Sequence, residues 1–440
     1  MRVSGWGKYP VIDAAIAAPH SVEELVERIQ LGNAIARGNG RAYGDSAISA
    51  SNTIEMKHFN RMLEFDCTTG QLVAQSGLLL ADVIDTFLPK GWFPSVTPGT
   101  KFVTLGGMVA ADVHGKNHHK DGSFSDCIDW IDVITSEGKI ERCSREQNQE
   151  LFQWTVGSMG LTGVILNVAF RLRPVSSSWI KQETITANNI EHTIRIFEET
   201  LDTTYSVAWI DCLSRGNKLG RALVMLGEHA ELPDLYGHAK SNPLHIPKKR
   251  KITVPSNLPF VAVNGPTVRL FNSLYYWSGK RKSATTLVDL DTYFYPLDRI
   301  LGWNKIYGRS GFAQFQCVIP LEHASKGMRE LLQTISEASS GSFLAVLKRF
   351  GKQESRFSFP MEGYTLALDF PISQKNLDLM TQLDQVTIKH KGRFYLAKDS
   401  RMSASTFKKS EPRLDAFRNF QSLRENRRAF SSEQAKRLDL

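Results

Sequence analysis

The chain of 440 residues lacks the marks of several protein classes. Its five cysteines, Cys67, Cys127, Cys143, Cys212 and Cys317, are scattered, with no CxxC pair and no even framework. A secreted disulfide scaffold and a zinc ribbon are therefore excluded, and reduced thiols in a cytoplasmic protein are expected. No apolar run approaches the ~18–20 residues that span a bilayer. The opening MRVSGWGKYP has one early Arg and no apolar h-region, so no signal peptide is expected. Charge of one sign is scarce too: Lys+Arg 54 against Asp+Glu 45 leaves +9. So small an excess suits an anionic ligand, a membrane surface or nucleic acid equally. There is no internal repeat, heptad run or low-complexity tract.

What is present is an ordinary globular composition, 42% apolar and 22% charged. The length predicts two or three domains with a large core. Up to about residue 175, short helices and strands alternate. Ser21 with Glu24 reads as a capping box opening a helix to about Gln30. Ala34–Ala36 reads as a short buried strand, Gln71–Gly77 as a strand and Leu80–Leu88 as an amphipathic helix. Ser144 with Gln147 reads as a further helix cap, and Val164–Arg173 as a strand stopped by Pro174. Beyond 176 the glycine clusters thin. Arg221–Leu226, Phe312–Ile319 and Thr365–Phe370 read as strands among helices. Residues 235–285 show no clear period and read as a long mobile loop region. Gly392–Asp399 reads as a final strand before a basic helical tail.

Three glycine-rich stretches carry the chemistry. The first, Arg37-Gly-Asn-Gly-Arg-Ala-Tyr-Gly-Asp-Ser46, follows a strand. Its backbone N–H groups could form a nest for phosphate, with Arg37 and Arg41 adding charge. It is neither GxxxxGK[ST] nor GxGxxG. Alone it reads equally well as a tight surface turn. The others, Thr97–Gly107 and Gly157–Gly163, lie in the same region. Three such loops suit one long polyphosphorylated ligand, such as an extended dinucleotide, better than a mononucleotide.

These residues, with Leu105-Gly-Gly-Met-Val-Ala-Ala-Asp-Val-His-Gly-Lys-Asn-His-His119 and Gly160-Leu-Thr-Gly163, resemble the FAD-binding domain of the vanillyl-alcohol-oxidase (PCMH-type) flavoenzymes. Within that superfamily the chain is most similar to the decaprenylphosphoryl-β-D-ribose 2′-oxidase family. The likeness continues through Phe294–Asp298, Trp303-Asn304, Gln314–Gln316, Phe343–Gly351 and Tyr395–Arg401, essentially the whole chain. The resemblance implies an α+β fold. A two-part FAD-binding domain would take residues 1–176 and 392–440, and an antiparallel-sheet substrate domain 177–391. It implies FAD contacts from Ala36, Arg37, Gly38, Asn39, Gly40, Arg41, Ala42, Tyr43, Gly44, Asp45 and Ser46. Further contacts would come from Gly99, Thr104, Leu105, Gly106, Gly107, Ala111, Asp112, Val113, His114, Val164 and Tyr395. Many members of the superfamily hold flavin covalently through a His in the first glycine loop. Gly40-Arg41-Ala42-Tyr43 offers no His or Cys there, so non-covalent FAD is expected.

Alcohol oxidation needs a C–H aimed at the cofactor and a sink for the hydroxyl proton. Lys398, His114, Tyr43 and Tyr295 are candidates. By itself a strand lysine is usually a surface residue; the resemblance puts Lys398 beside flavin and substrate, with His114 and Tyr295 also assigned to the chemistry. Gln314 and Gln316, two apart on a strand, share a face. The resemblance aims them and Lys348 at the substrate, Gln316 orienting a sugar and Lys348 meeting its phosphate. Known members carry Cys where this chain has Ala367, so the pocket is not identical. Three histidines within His114–His119 invite a metal reading, but no Cys or carboxylate stands at ligand spacing and none is expected.

The implied reaction is oxidation of the 2′-hydroxyl of a polyprenylphosphoryl ribose to the keto sugar. A separate NAD(P)H-dependent reductase would then complete epimerisation to arabinose for cell-envelope arabinan. The alternative is an FAD-dependent oxidase of another sugar, alditol or aldonolactone. Those relatives commonly carry His-Trp-x-Lys where this chain has Tyr395-Leu-Ala-Lys398. The basic, aromatic segment 245–285, with Lys248–Lys251 and Lys280–Lys282, reads as a solvated loop or as a lid docking peripherally on the inner face of the membrane. Nucleic acid is not expected, because no binding fold for it accompanies the charge.

Overall fold

The computed structural model describes residues 1–247, 249–256, 265–281, 285–342 and 344–440. Lys248, Lys282 and Phe343, named above in the charge and motif patterns, lie outside the described residues, as does part of the segment 245–285.

The fold is α+β, built of three layers around continuous cores. Ser21 caps the helix Val22–Gln30: its hydroxyl accepts from the Glu24 amide at 3.2 Å, and the Glu24 carboxylate reaches back to the His20 amide at 2.7 Å. That helix buries Leu25 and Ile29 with Ala34 and Ile54 of a small parallel sheet, Ile16–Ala17, Thr53–Glu55 and Ile35–Arg37. An antiparallel sheet follows, in the order Ile140–Ser144, Ile128–Ile134, Val164–Pro174, Gln71–Gln75, Met62–Asp66; Trp92–Pro94 pairs with the far end of Val164–Pro174. Ser144 does not cap a helix. Its hydroxyl accepts from the Glu146 and Gln147 amides, closing a turn, and the helix starts later, at Gln149–Thr155, after Asn148.

From Trp179 onward the chain builds an eight-stranded antiparallel sheet. Its order is Thr286–Asp289, Trp179–Ala187, Ala222–His229, Tyr205–Ile210, Ala345–Phe350, Gly363–Pro371, Phe312–Pro320, Arg393–Phe394. The register sets Gln314 against Asp369, Gln316 against Ala367, Lys348 against Thr365 and Trp209 against both Val346 and Leu223. Since side chains alternate along a strand, these positions share one face. Helices Leu321–Glu337 and Gln374–Lys389 cover the other, burying Leu331, Leu332, Leu379 and Leu383.

Two expectations are corrected. The segment Gly392–Asp399 pairs only over Arg393–Phe394, then turns, with the Lys398 amide donating to the Tyr395 carbonyl at 3.0 Å. The region 235–285 is not all loop: it holds a 17-residue helix, Gly265–Arg281. Its period is masked because apolar side chains point both ways. Val268 is buried, whereas Leu270, Leu274 and Trp277 are 64%, 58% and 52% exposed.

The C-terminal helices Leu414–Leu423 and Glu433–Leu438 return to the first layers, where Phe430 bridges Ala34. Arg437 joins three segments. It pairs with both Asp45 oxygens at 2.7 and 3.1 Å, with Asp399 at 2.9 Å, and donates to the Met402 carbonyl at 2.7 Å. Gly44 makes this approach feasible, since a Cβ there would lie 2.2 Å from the Asp399 carbonyl oxygen. Arg437→Met would leave two buried carboxylates without their cation. A loss of about 3 kcal/mol is expected, read as a lower urea midpoint with the slope unchanged.

Candidate functional site

A cavity of about 1150 Å³ lies between the first layers and the eight-stranded sheet. It exceeds the roughly 300–1,000 Å³ usual for a small-molecule site. One wall is made by the glycine loops: Ala36, Gly38, Asn39, Gly40, Arg41, Ala42, Tyr43, Ser46, Gly99, Thr104, Gly106, Gly107, Ala111 and Val113 all line it. The opposite wall is the sheet face with Gln314, Gln316, Lys348, Thr365, Ala367 and Asp369. His114, Tyr395 and Lys398 also line it.

The turn after Tyr395 projects Lys398 so that Nζ stands 3.6 Å from the centre of the Tyr43 ring. The Asp369 carboxyl is buried in the sheet wall. Its Oδ1 accepts from Gln314 Nε2 at 2.5 Å, and its Oδ2 is buried with no hydrogen-bond partner. Burial pushes the Asp369 carboxyl up and the Lys398 ammonium down; the attraction between them opposes both shifts. Lys348 has no carboxylate in an ion pair among the described residues, and burial lowers it to about 8. Lys116 donates to the Tyr293 carbonyl and lies 4.0 Å from that ring's centre. Burial, and then Lys348, lower it to about 7. Lys348 of the sheet, Lys116 and Lys398 thus face one cavity with little to balance their charge.

His114 Nε2 is 3.2 Å from Gln316 Nε2, and the amide also donates to Thr365 Oγ1 at 3.3 Å. The ring packs against Phe350 and Tyr395. Burial, then Lys348, hold its pKa well below the usual range, so it is neutral and accepts from Gln316. It orients that amide. His118 and His119 are engaged elsewhere, with Gln353 Oε1 and the Thr203 carbonyl, each at 2.7 Å.

Several expected residues do not face the cavity. Tyr295 is fully buried, its hydroxyl engaged with Thr97 Oγ1 at 2.5 Å, so it braces the second glycine loop. Arg37 turns its guanidinium to the Ser4 carbonyl at 2.9 Å. Asp45 is held by Arg437, and Gly44 packs on Asp399. Asp112 accepts from Ser123, Ser125 and Gln353, fastening the loop that follows the helix Leu105–Ala110. Leu105 and Val164 belong to hydrophobic cores. Conversely, Lys116 and Asp369 line the cavity and escaped notice. Asp369 had a signal: a lone carboxylate in the apolar strand Tyr364–Phe370, on the face of Ala367.

Comparison with known proteins places these features. A model for an FAD binding domain matches residues 14–144. The whole chain is 32% identical to decaprenylphosphoryl-beta-D-ribose oxidase from Mycolicibacterium smegmatis, covering 97% of that protein. L-gulonolactone oxidase from Bos taurus is 30% identical over 36% of each chain. Cytokinin dehydrogenase 5 from Arabidopsis thaliana is 28% identical over 40% of this chain and 35% of its own.

The glycine-loop wall fits FAD on its own terms. Ser46 and Ser76 line it with hydroxyl oxygens that are buried and unpartnered, as is Arg41 Nε. Buried polar atoms of that kind call for a polar ligand. Arg41 is stacked 4.0 Å from the Trp6 ring centre, fixed beside the wall. Ala36, Gly38 to Tyr43, Ser46, Thr104, Gly106, Gly107 and Tyr395 would hold the group.

The lysines set a pH dependence. For the FAD-loaded protein, sulfate affinity should be greatest below pH 7 and fall as pH rises through about 7–8, where Lys116 and then Lys348 lose their protons. Sulfate keeps its charge over this range, so calorimetric titration isolates the lysines. Lys348→Met should weaken sulfate binding about tenfold at pH 6.5 and flatten the profile.

Proposed function

The chain belongs to the decaprenylphosphoryl-β-D-ribose oxidase family of FAD-dependent oxidoreductases, and from that premise we propose that it oxidises the 2′-hydroxyl of a polyprenylphosphoryl ribose to the 2′-keto sugar. The observation that carries this reading is the sheet wall, where a sugar-orienting amide and the Lys398–Asp369 pair stand beside the unneutralised Lys348. Bound FAD supplies the hydride acceptor for the C–H bond.

The chain's residues do the rest. Gln316, held by His114 and Thr365, orients the ring hydroxyls. Lys348 and Lys116 draw in the phosphate, which replaces the water that their burial has stripped away. The hydroxyl proton goes to the Lys398–Asp369 pair. Burial pushes Asp369 toward its protonated form and Lys398 toward its neutral amine, and an unprotonated Lys398 amine or Asp369 carboxylate takes the proton. Gln314 fixes Asp369, and Tyr43 fixes the ammonium.

FAD is held non-covalently, a reading supported by Gly40-Arg41-Ala42-Tyr43, which offers no His or Cys. Denaturation should release all the flavin to the supernatant. The keto product calls for a separate NAD(P)H-dependent reductase. A peripheral membrane contact is supported by Leu270, Leu274 and Trp277, exposed beside Arg269, Lys280 and Arg281. No helix among the described residues is long and apolar enough to cross a membrane. In flotation assays the protein should co-migrate with phosphatidylglycerol vesicles and not with phosphatidylcholine ones; equal behaviour toward both would refute the contact.

The main test is anaerobic flavin reduction. Polyprenylphosphoryl ribose should bleach the flavin band, and free ribose, alditols and aldonolactones should not. Bleaching by a free sugar instead would favour the gulonolactone-oxidase type of activity. Lys398→Met should slow reduction roughly 10²–10⁴-fold at saturating substrate.

A further inference from the structure

The cavity is larger than a cofactor and a sugar phosphate require, and its sheet wall changes character from strand to strand. The face of Phe312–Pro320, Gly363–Pro371 and Ala345–Phe350 offers Gln314, Gln316, Asp369 and Lys348. The next two strands, Tyr205–Ile210 and Ala222–His229, offer Val207, Trp209, Leu223 and Met225, all lining the same cavity and none of them polar. The registers lock the two halves edge to edge: Val346, two residues from Lys348, lies opposite Trp209, and Trp209 lies opposite Leu223. Lys348 therefore stands on the border between the polar half and the apolar one.

Helix Gly265–Arg281 roofs the apolar half. Gly279 lets it come close, since a Cβ there would lie 2.2 Å from Leu223 Cδ1. Tyr275 packs on Trp209 with ring centres 4.8 Å apart, and Phe271 stacks on Tyr275. The helix is fastened by polar bonds on either side. Asn272 donates to Asp211 at 2.8 Å, Arg221 bridges Asp211 and Ser273, and Tyr276 donates to the Ala187 carbonyl. Phe271 and Tyr275 line the cavity, yet each is 41% exposed, so the apolar half opens along them to the outer face of the helix.

We infer that this apolar half is a groove for the substrate's hydrocarbon chain, running from Lys348 beneath helix Gly265–Arg281 to that helix's exposed face. The order across the sheet then matches the order along the ligand: sugar at Gln316, phosphate at Lys348, chain over Trp209, Leu223 and Met225. Val207, Trp209, Leu223 and Met225 carry no charge, and burying a methylene against them releases water from both surfaces. The inference rests on the function proposed above for the substrate class, and its test is kept separate from turnover.

The test is calorimetric binding of methyl, geranyl and farnesyl phosphate to the FAD-loaded protein. These ligands share a headgroup and differ in chain length. Affinity should rise at least tenfold from methyl to farnesyl phosphate. In the Phe271→Ser/Tyr275→Ser variant, on the partly exposed helix, that ratio should drop below threefold. Met225→Gln, on the sheet side, should lower the ratio by a separate route. A wild-type ratio near one, or a ratio that both variants leave intact, would overturn the groove. Chain-dependent binding without flavin reduction by any ribosyl lipid upholds the groove and sinks the sugar reading; flavin reduction without chain dependence does the reverse.

Discussion

The Arg437 guanidinium, lodged between Asp45 and Asp399, is the contact on which the site's geometry depends. Asp45 ends the first glycine loop, and Asp399 follows Lys398. The pair of ion pairs thus binds the wall that cradles the cofactor to the turn that presents the lysine. A second bidentate pair, Arg401 with Asp384 at 2.7 and 2.6 Å, ties the same turn to the helix Gln374–Lys389 behind the sheet. Lys398 is therefore anchored to both walls of the cavity within three residues. Buried ion pairs often add little net stability, because desolvation offsets attraction. Here their directional bonds fix the Lys398 side chain to two layers at once.

That fixation lets charge be used where water is scarce. Lys116, Lys348 and Lys398 face one cavity, and Asp369 is the carboxylate placed to answer them. Burial lowers all three lysines, Lys116 to about 7 and Lys348 to about 8. A bound phosphate reverses the balance for Lys116 and Lys348, keeping them charged by attraction. Asp369 does this for Lys398, whose charge in turn opposes the upward push that burial gives the carboxyl. On the proposed reading, the two tasks of anion binding and proton handling fall to different lysines, and Asp369 acts electrostatically on Lys398. Neutral His114 fits the same logic: a charged imidazolium near Lys348 would be repelled, and a neutral one can accept from Gln316.

Local signals in the sequence carried much of this. The capping box at Ser21, the strands around Gln71, Val164 and Phe312, and the alternation of Gln314 with Gln316 are short-range patterns, and the structure bears them. The glycine loops were legible as a ligand wall, but which members face inward was not. Gly40 and Ser46 line the cavity, whereas Arg37, Asp45 and Asp112 turn away to bind partners up to 392 residues distant. Such partners leave no trace in local spacing. Asp369 and Lys116 were hidden for the same reason, since their roles come from strand register and from burial. Helix Gly265–Arg281 was missed because its outer face is apolar too, which erases the stripe that marks an ordinary surface helix.

That apolar outer face bears on the choice between a lipid-linked sugar and a soluble one. A soluble sugar or aldonolactone needs the polar half of the sheet and the lysines, and gains nothing from Val207, Leu223 and Met225. An enzyme for such a substrate would be expected to fill or close that half. Here it is kept open under a helix that Asn272, Arg221 and Tyr276 hold in place, with Leu270, Leu274 and Trp277 left in contact with solvent. Exposed apolar surface of this kind is a liability unless something covers it. Ala367 sits at the centre of the arrangement, opposite both Gln316 and Val346, where the polar half meets the apolar one. A small side chain at that junction leaves room between the two halves of the cavity. On the proposed reading, Ala367 bears on the fit of the ligand and not on the turn that carries Lys398.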